Sequence, residues 1–167
     1  MKSDVVIENE SSLTLDDALC ELLRGAVFAA LCEEKIELPC EVSLLLTTND
    51  KIHKLNLEYR EKDRPTDVLS FPIYDSREEL EEDAKMNDLA EFFPIGDVVI
   101  APDVVREAAG EIPEPFEKHL SRMCIHSVLH LLGYDHETGE EDEKEMIGKQ
   151  EAILENFWKT REAVCQN

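Results

Sequence analysis

The sequence predicts one mixed α/β (α+β) domain, with about four strands in a mixed sheet and five to six helices. Three observations lead there. Short runs of branched aliphatic residues alternate with longer segments whose apolar residues recur every three or four positions. No linker, internal repeat or low-complexity tract divides the 167 residues, a length that suits one hydrophobic core. Aliphatic residues are plentiful, and no stretch approaches the ~18 apolar residues of a membrane span.

Taken in order, Val5-Val6-Ile7 opens the sheet. Thr14 then offers an N-cap, with Asp16 and Asp17 in a first turn where carboxylates suit the helix dipole. Leu15, Leu19, Leu22, Leu23, Ala26, Val27 and Ala30 follow at helical spacing. Pro39 punctuates the entry to a strand over 41–47. Asn49 or Asp50 caps a short helix to about Tyr59, with Ile52, Leu55 and Tyr59 on its apolar side. A third strand over 67–71 is stopped by Pro72. The acidic stretch after it fits either a loop or a solvated helix. A fourth strand covers 96–101, and Pro102 suits the first turn of a helix ending near Gly110. A long helix from about Pro115 to Leu132 buries Phe116, Leu120, Met123, Val128 and Leu129. A final helix over about 141–162 packs Met146, Ile147, Ile153, Leu154 and Phe157.

A formal charge of −22 argues against indiscriminate nucleic-acid binding, because a polyanion repels phosphates at long range. It leaves room for a local basic site, and Lys51, Lys54, Arg60, Lys62 and Arg64 cluster in one segment. The acidic runs over 75–91 and 137–145 read as solvated surface. Met1-Lys2-Ser3-Asp4 leads into acids rather than a hydrophobic signal core, so no secretion is expected. Five cysteines, an odd number without a Cys-x-x-Cys pair, read as reduced cytoplasmic thiols, with Cys124 in the core.

Three of the five histidines fall within residues 126–136, His-Ser-Val-Leu-His-Leu-Leu-Gly-Tyr-Asp-His. Histidines four apart on a helix lie about 6 Å apart along its axis, so His126 and His130 can reach one ion. On a continuous helix His136 would lie about 15 Å beyond His126. Gly133 removes that obstacle, since glycine past a helix end takes the left-handed conformation that turns the chain back. His126, His130 and His136 then form a three-ligand site for Zn²⁺, one per chain, whose fourth position is left for water. Buried histidines satisfied by hydrogen bonds explain one of these residues well and three poorly. His53 and His119 read as surface residues.

The second distinctive segment is Asn56 to Pro72, a helix end, a charged turn and a strand. Arg60 stands where the helix has just finished. Its guanidinium either projects into a cleft, where it matches phosphate oxygens in a bidentate fork, or pairs with Glu58, Asp63 or Asp67. Thr66 and Asp67 can cap the turn.

Together these segments resemble the YbeY family of bacterial single-strand-specific endoribonucleases. Its hallmark is a His-Gly-x-Leu-His-Leu-x-Gly-Tyr-Asp-His run, preceded by Asn-x-x-Tyr-Arg-x-x-Asp-x-Pro-Thr-Asp-Val-Leu-Ser-Phe-Pro. Gly96-Asp97-Val98-Val99-Ile100 resembles a further family strand. The match spans about residues 45–137. Ser127 departs from the family's usual glycine, which bears on pocket shape rather than ligation.

The resemblance implies that residues 1–167 form a single zinc-dependent endoribonuclease domain, cytoplasmic and soluble, with His126, His130 and His136 as metal ligands. It also implies that Arg60 matters for catalysis. It implies cleavage of single-stranded RNA in ribosomal RNA maturation, at the 3′ end of small-subunit rRNA, and in ribosome quality control. Partners are then the ribosome or small-subunit assembly proteins, not DNA and not a membrane. Zinc acidifies bound water towards a pKa of ~7 and polarises phosphoryl oxygens, which suits that chemistry. Two other classes share features. His-x-x-x-His-x-x-Gly-x-x-His is also metzincin metalloprotease spacing, but those enzymes place a general-base Glu where Ser127 stands. Asp135 reads as an anchor for an imidazole rather than a substitute base. A non-catalytic ribosome assembly factor with structural zinc is the third class, its charge suiting basic ribosomal proteins.

Overall fold

The four aliphatic runs form β1 (Asp4–Asn9), β2 (Cys40–Leu46), β3 (Val68–Pro72) and β4 (Phe93–Ile100), in spatial order β1-β2-β4-β3. The computed structural model describes residues 3–166, so Met1 and Lys2 of the N-terminal reading lie outside the described residues. β2 pairs in parallel with β1 and β4, while β3 runs antiparallel to β4, so the sheet is mixed as expected. Six helices fill the intervals: α1 (Asp17–Glu33), α2 (Asn49–Arg60), α3 (Arg77–Met86), α4 (Pro102–Glu111), α5 (Phe116–Leu131) and α6 (Glu140–Cys165).

Strict alternation along β2 sends Cys40, Val42, Leu44 and Leu46 to one face of the sheet. There they join Leu23, Ala26 and Ala30 of α1 and Leu120, Cys124 and Val128 of α5 in the main core. The other face is only partly covered. Ile52 of α2 packs there on Leu69, Val99 and Ala101, and the rest of that face stays open.

Several boundaries differ from the sequence reading, each for a local reason. Asp16, not Thr14, caps α1, its carboxylate accepting from the Leu19 amide at 2.8 Å. Thr48 caps α2 ahead of Asn49 and Asp50 by accepting from Lys51 N at 3.3 Å. Tyr59 does not join the apolar side of α2 in the core but is 61% exposed. Pro72 is the last residue of β3 rather than its stop, as an edge strand tolerates. Ile147 is 40% exposed on the outside of α6. The acidic stretch contains a helix, α3, capped by Ser76 and held to the core by Leu80 and Ala84. The second acidic run is exposed throughout residues 137–145, as expected of solvated surface, and its Glu140, Glu141, Asp142 and Glu143 form the first turn of α6, where carboxylates complement the dipole.

β4 starts three residues before the expected Gly96 because a register shift interrupts its alternation. Glu41 and Val42 pair with Pro94 and Gly96, leaving Ile95 unpaired. That bulge lets Phe93, Ile95, Val98 and Ile100 all reach the main core. Gly96 has φ +153°, and a Cβ there would lie 2.5 Å from the Phe71 carbonyl oxygen and from Leu131 Cδ2. Only glycine permits so close an approach of β3 and α5.

His119 is not a surface residue. Its side chain is buried beside Glu114, whose carboxylate accepts from Arg122 and lies 3.0 Å from His119 Nδ1. Arg122 Nε also donates to Glu151 of α6 at 2.7 Å. Hydrogen bonding to Arg122 holds the Glu114 carboxyl below its ordinary value of 4.5. A lowered carboxylate contributes stability that is complete above the unfolded pKa and lost as pH falls through the folded one. Arg122→Ala, which strands a largely buried carboxylate, is expected to destabilise the protein by about 3 kcal/mol. It should also flatten the loss of stability below pH ~4.5. Denaturant titrations at neutral and acidic pH measure both effects.

Candidate metal centre

The site begins with the end of α5. Gly133 has φ +100°, its amide bonds to the His130 carbonyl at 3.0 Å, and the Tyr134 amide reaches the Leu129 carbonyl at 3.0 Å. This pair of bonds is the Schellman closure, and it reverses the chain as the glycine predicts. Tyr134 Oη then donates to the Glu34 carboxylate at 2.8 Å, and Lys149 donates to the same group at 3.1 Å. The turn that carries His136 is thereby tied to α1 and α6.

The reversal brings His136 to the two helical histidines. His130 Nε2 lies 3.1 Å from His126 Nε2 and 3.0 Å from His136 Nδ1, and the three candidate ligand atoms fall within 4.8 Å of one another. No carboxylate or thiolate among the described residues completes the group.

The protons of two of these rings are fixed from outside. His126 Nδ1 donates to Gln150 Oε1 at 2.7 Å, and His130 Nδ1 donates to the Tyr134 carbonyl at 2.8 Å. The Gln150 amide nitrogen donates in turn to Glu151 at 3.0 Å, which sets the orientation of the amide. Each Nε2 therefore carries a lone pair aimed at its neighbour, an arrangement that repels unless a cation stands between. Burial lowers both imidazole pKa values, that of His130 to about 4, so the rings are neutral near pH 7. Neutral imidazoles with oriented lone pairs are what a divalent ion needs. The N···N separations approach the about 3.3 Å edge of a tetrahedron with ligands at 2.0–2.1 Å. The donor set fits a first-row ion, zinc included.

An open cleft of about 510 Å³ lies over the cluster. Arg60 lines it from the opposite side, at the C-terminus of α2, where Glu61 turns the chain with φ +57°. The following turn is stapled by Asn56 Nδ2 to the Arg64 carbonyl at 2.8 Å and by His53 Nε2 to Asp63 at 2.7 Å. Arg60 does not pair with Glu58, Asp63 or Asp67. Its partner is Glu137, the residue after the third histidine, so a carboxylate occupies the guanidinium beside the cluster. Asp135 is exposed and accepts from the Glu137 amide at 2.8 Å; Gln150 and the Tyr134 carbonyl take the anchoring role expected of it. Ser127 is fully buried and does not line the cleft.

Gln150, Tyr134 and Glu137 escaped the sequence reading. Gln150 had left a signal, being the one polar residue on an inward face of α6 otherwise made of Met146, Ile153 and Leu154. Gln150→Leu is expected to weaken metal affinity by about 10- to 100-fold through the freed His126 ring, with the fold retained. Competition against a chromogenic chelator measures it.

Fold and site together define a class: a small α/β protein with three imidazoles and an arginine facing one open cleft, suited to hydrolysis at an anionic centre. The comparisons name the family. The model of the family "Endoribonuclease YbeY" matches residues 6–158. The curated endoribonuclease YbeY of Acetivibrio thermocellus is 42% identical over 157 residues, covering 92% of this chain and 96% of that protein. That of Caldanaerobacter subterraneus subsp. tengcongensis is 43% identical over 154 residues, covering 92% and 97%. A Thermotoga maritima protein with a solution structure is 31% identical, with a TM-score of 0.62 over 95% of this chain and 92% of that one. The chain belongs to the YbeY endoribonuclease family.

Proposed function

We propose that residues 1–167 act as one zinc-dependent endoribonuclease domain that cleaves phosphodiester bonds in single-stranded RNA. His126, His130 and His136 hold the ion, and Arg60 binds the scissile phosphate. The observation that carries this reading is the meeting of three imidazoles, two of them oriented from outside, and one guanidinium at a single open cleft. A bound zinc ion supplies Lewis acidity and an acidified water at that point. The residues of the chain do the rest. Gln150 and the Tyr134 carbonyl keep the ring protons away from the cluster. Arg60 exchanges the Glu137 carboxylate for a phosphate of like charge and stabilises the negative charge that builds up during displacement. The substrate follows from the family: ribosomal RNA, at the 3′ end of the small-subunit species, in the cytoplasm and in company with the ribosome or small-subunit assembly proteins.

The protease reading lacks support, because Ser127 stands where those enzymes place their general-base Glu and is buried away from the cleft. A purely structural zinc is also disfavoured, since among the described residues no fourth side chain closes the group. The test is incubation of purified protein with single-stranded RNA, duplex RNA, single-stranded DNA and casein, with and without chelator. Cleavage of single-stranded RNA alone, lost with chelator and restored by zinc, is the expected result. Cleavage of casein, or RNA cleavage indifferent to chelation, overturns the proposal.

A further inference from the structure

Tyr59 immediately precedes Arg60 on α2, and the residue is 61% exposed beside the cleft. Phe71 of β3 meets it edge to face, with centroids 5.1 Å apart and planes at 74°. That contact braces a residue that stays largely exposed. A second cleft of about 540 Å³ lies over the open face of the sheet, with Ser43, Leu45 and Val99 among its lining residues. Tyr59 and Phe71 are the residues common to both clefts, so the aromatic pair forms the ridge between them.

Both sides of that ridge carry carboxylates, Asp75, Asp135 and Glu137 lining the histidine side, but a guanidinium lines one side alone. Arg60 stands on the histidine side. On the sheet side the carboxylates of Glu8 and Asp97 line the cleft, and its lysine, Lys51, is engaged by Glu10 at 2.7 Å. A phosphate meets those carboxylates there, whereas an uncharged planar group meets an apolar floor and the exposed Tyr59 side chain. A nucleotide carries such a group one sugar away from its phosphate. Tyr59 and Arg60 both line the histidine cleft, so it can take a phosphate on Arg60 and a base on Tyr59.

We propose that the Tyr59 ring is a stacking platform for the nucleobase flanking the scissile phosphate, and that Phe71 holds it in place. The inference rests on the ribonuclease reading above and deepens it. Stacking tolerates any base, because every base has a π-face. It also favours single strands, because in a duplex both faces of each base are already covered by neighbours.

The experiment uses zinc-loaded protein and a single-stranded RNA oligonucleotide with a mapped cut. Tyr59→Leu is expected to lower kcat/KM by about 5- to 150-fold, the factor that base–aromatic stacking is worth. Tyr59→Trp keeps a stacking surface and should stay within about threefold of the parent. An oligonucleotide lacking the base beside the cut should cost the parent the same factor and cost Tyr59→Leu nothing more. A second arm reads binding alone: 2-aminopurine placed beside the cut should be quenched by the parent protein and by Tyr59→Trp, not by Tyr59→Leu. If the parent cleaves RNA and Tyr59→Leu cleaves equally well, or if losses from the variant and the missing base simply add, the platform is refuted while the ribonuclease reading stands. If the parent cleaves no RNA, the ribonuclease reading falls. The platform falls with it, because it is defined by the scissile phosphate.

Discussion

His130→Ala is expected to leave a protein that neither retains metal nor cleaves single-stranded RNA above background. His130 is the shared neighbour of the cluster, within 3.1 Å of His126 and 3.0 Å of His136. Its removal takes away a proposed ligand and also the donor that engages the Tyr134 carbonyl, so the turn bearing His136 should be loosened too. The loss should exceed about 10³-fold in cleavage, because metal assistance is worth several kcal/mol of transition-state stabilisation. Elemental analysis beside an RNA cleavage assay measures both, and a cooperative thermal melt confirms that the variant is folded. A variant that still cleaves at the parental rate defeats the metal mechanism. The same substitution changes the acid response of the metal-free protein. A histidine with a depressed pKa binds fewer protons folded than unfolded, so stability declines as pH falls from about 6.5 to about 4. In His130→Ala that part of the decline should be missing.

Arg60→Ala is expected to keep its metal and lose about 10²- to 10³-fold in cleavage, the usual cost of removing one donor to a developing oxyanion. The separation of the two effects is the informative point. Arg60 reaches the cleft from α2 and does not touch the imidazoles, so metal content should match the parent. Arg60→Lys should restore little, since an ammonium lacks the planar fork that grips two phosphate oxygens. Lost metal in Arg60→Ala, or unchanged cleavage, contradicts the phosphate-binding role.

The three histidines were legible because helix pitch and one glycine fix where they go, whatever the remainder of the chain does. The strands were legible where alternation or aliphatic runs are unbroken, as in β2. Alternation fails at Ile95–Gly96, and there the strand's beginning was missed. Caps were misplaced by one or two residues because Thr14, Asp16, Thr48, Asn49 and Asp50 are all able capping residues, and tertiary geometry chooses among them. His119 was taken for surface because its partners are spread over α5 and the loop before it, with Arg122 linking on to α6. The groups that orient the imidazoles were hidden for a related reason. One is a main-chain carbonyl, which no side-chain pattern reports, and the other lies on a separate helix.

The position of Gln150 has a consequence for the order of events during synthesis. A growing chain exposes all three histidines before the last helix has emerged, so it can present the ligands without the carbonyl that sets the first ring's proton. The hydrogen bond to His126 Nδ1 waits on the C-terminal helix docking against its neighbours. A chain ended before Gln150 therefore carries the three histidines without the partner that orients the first of them.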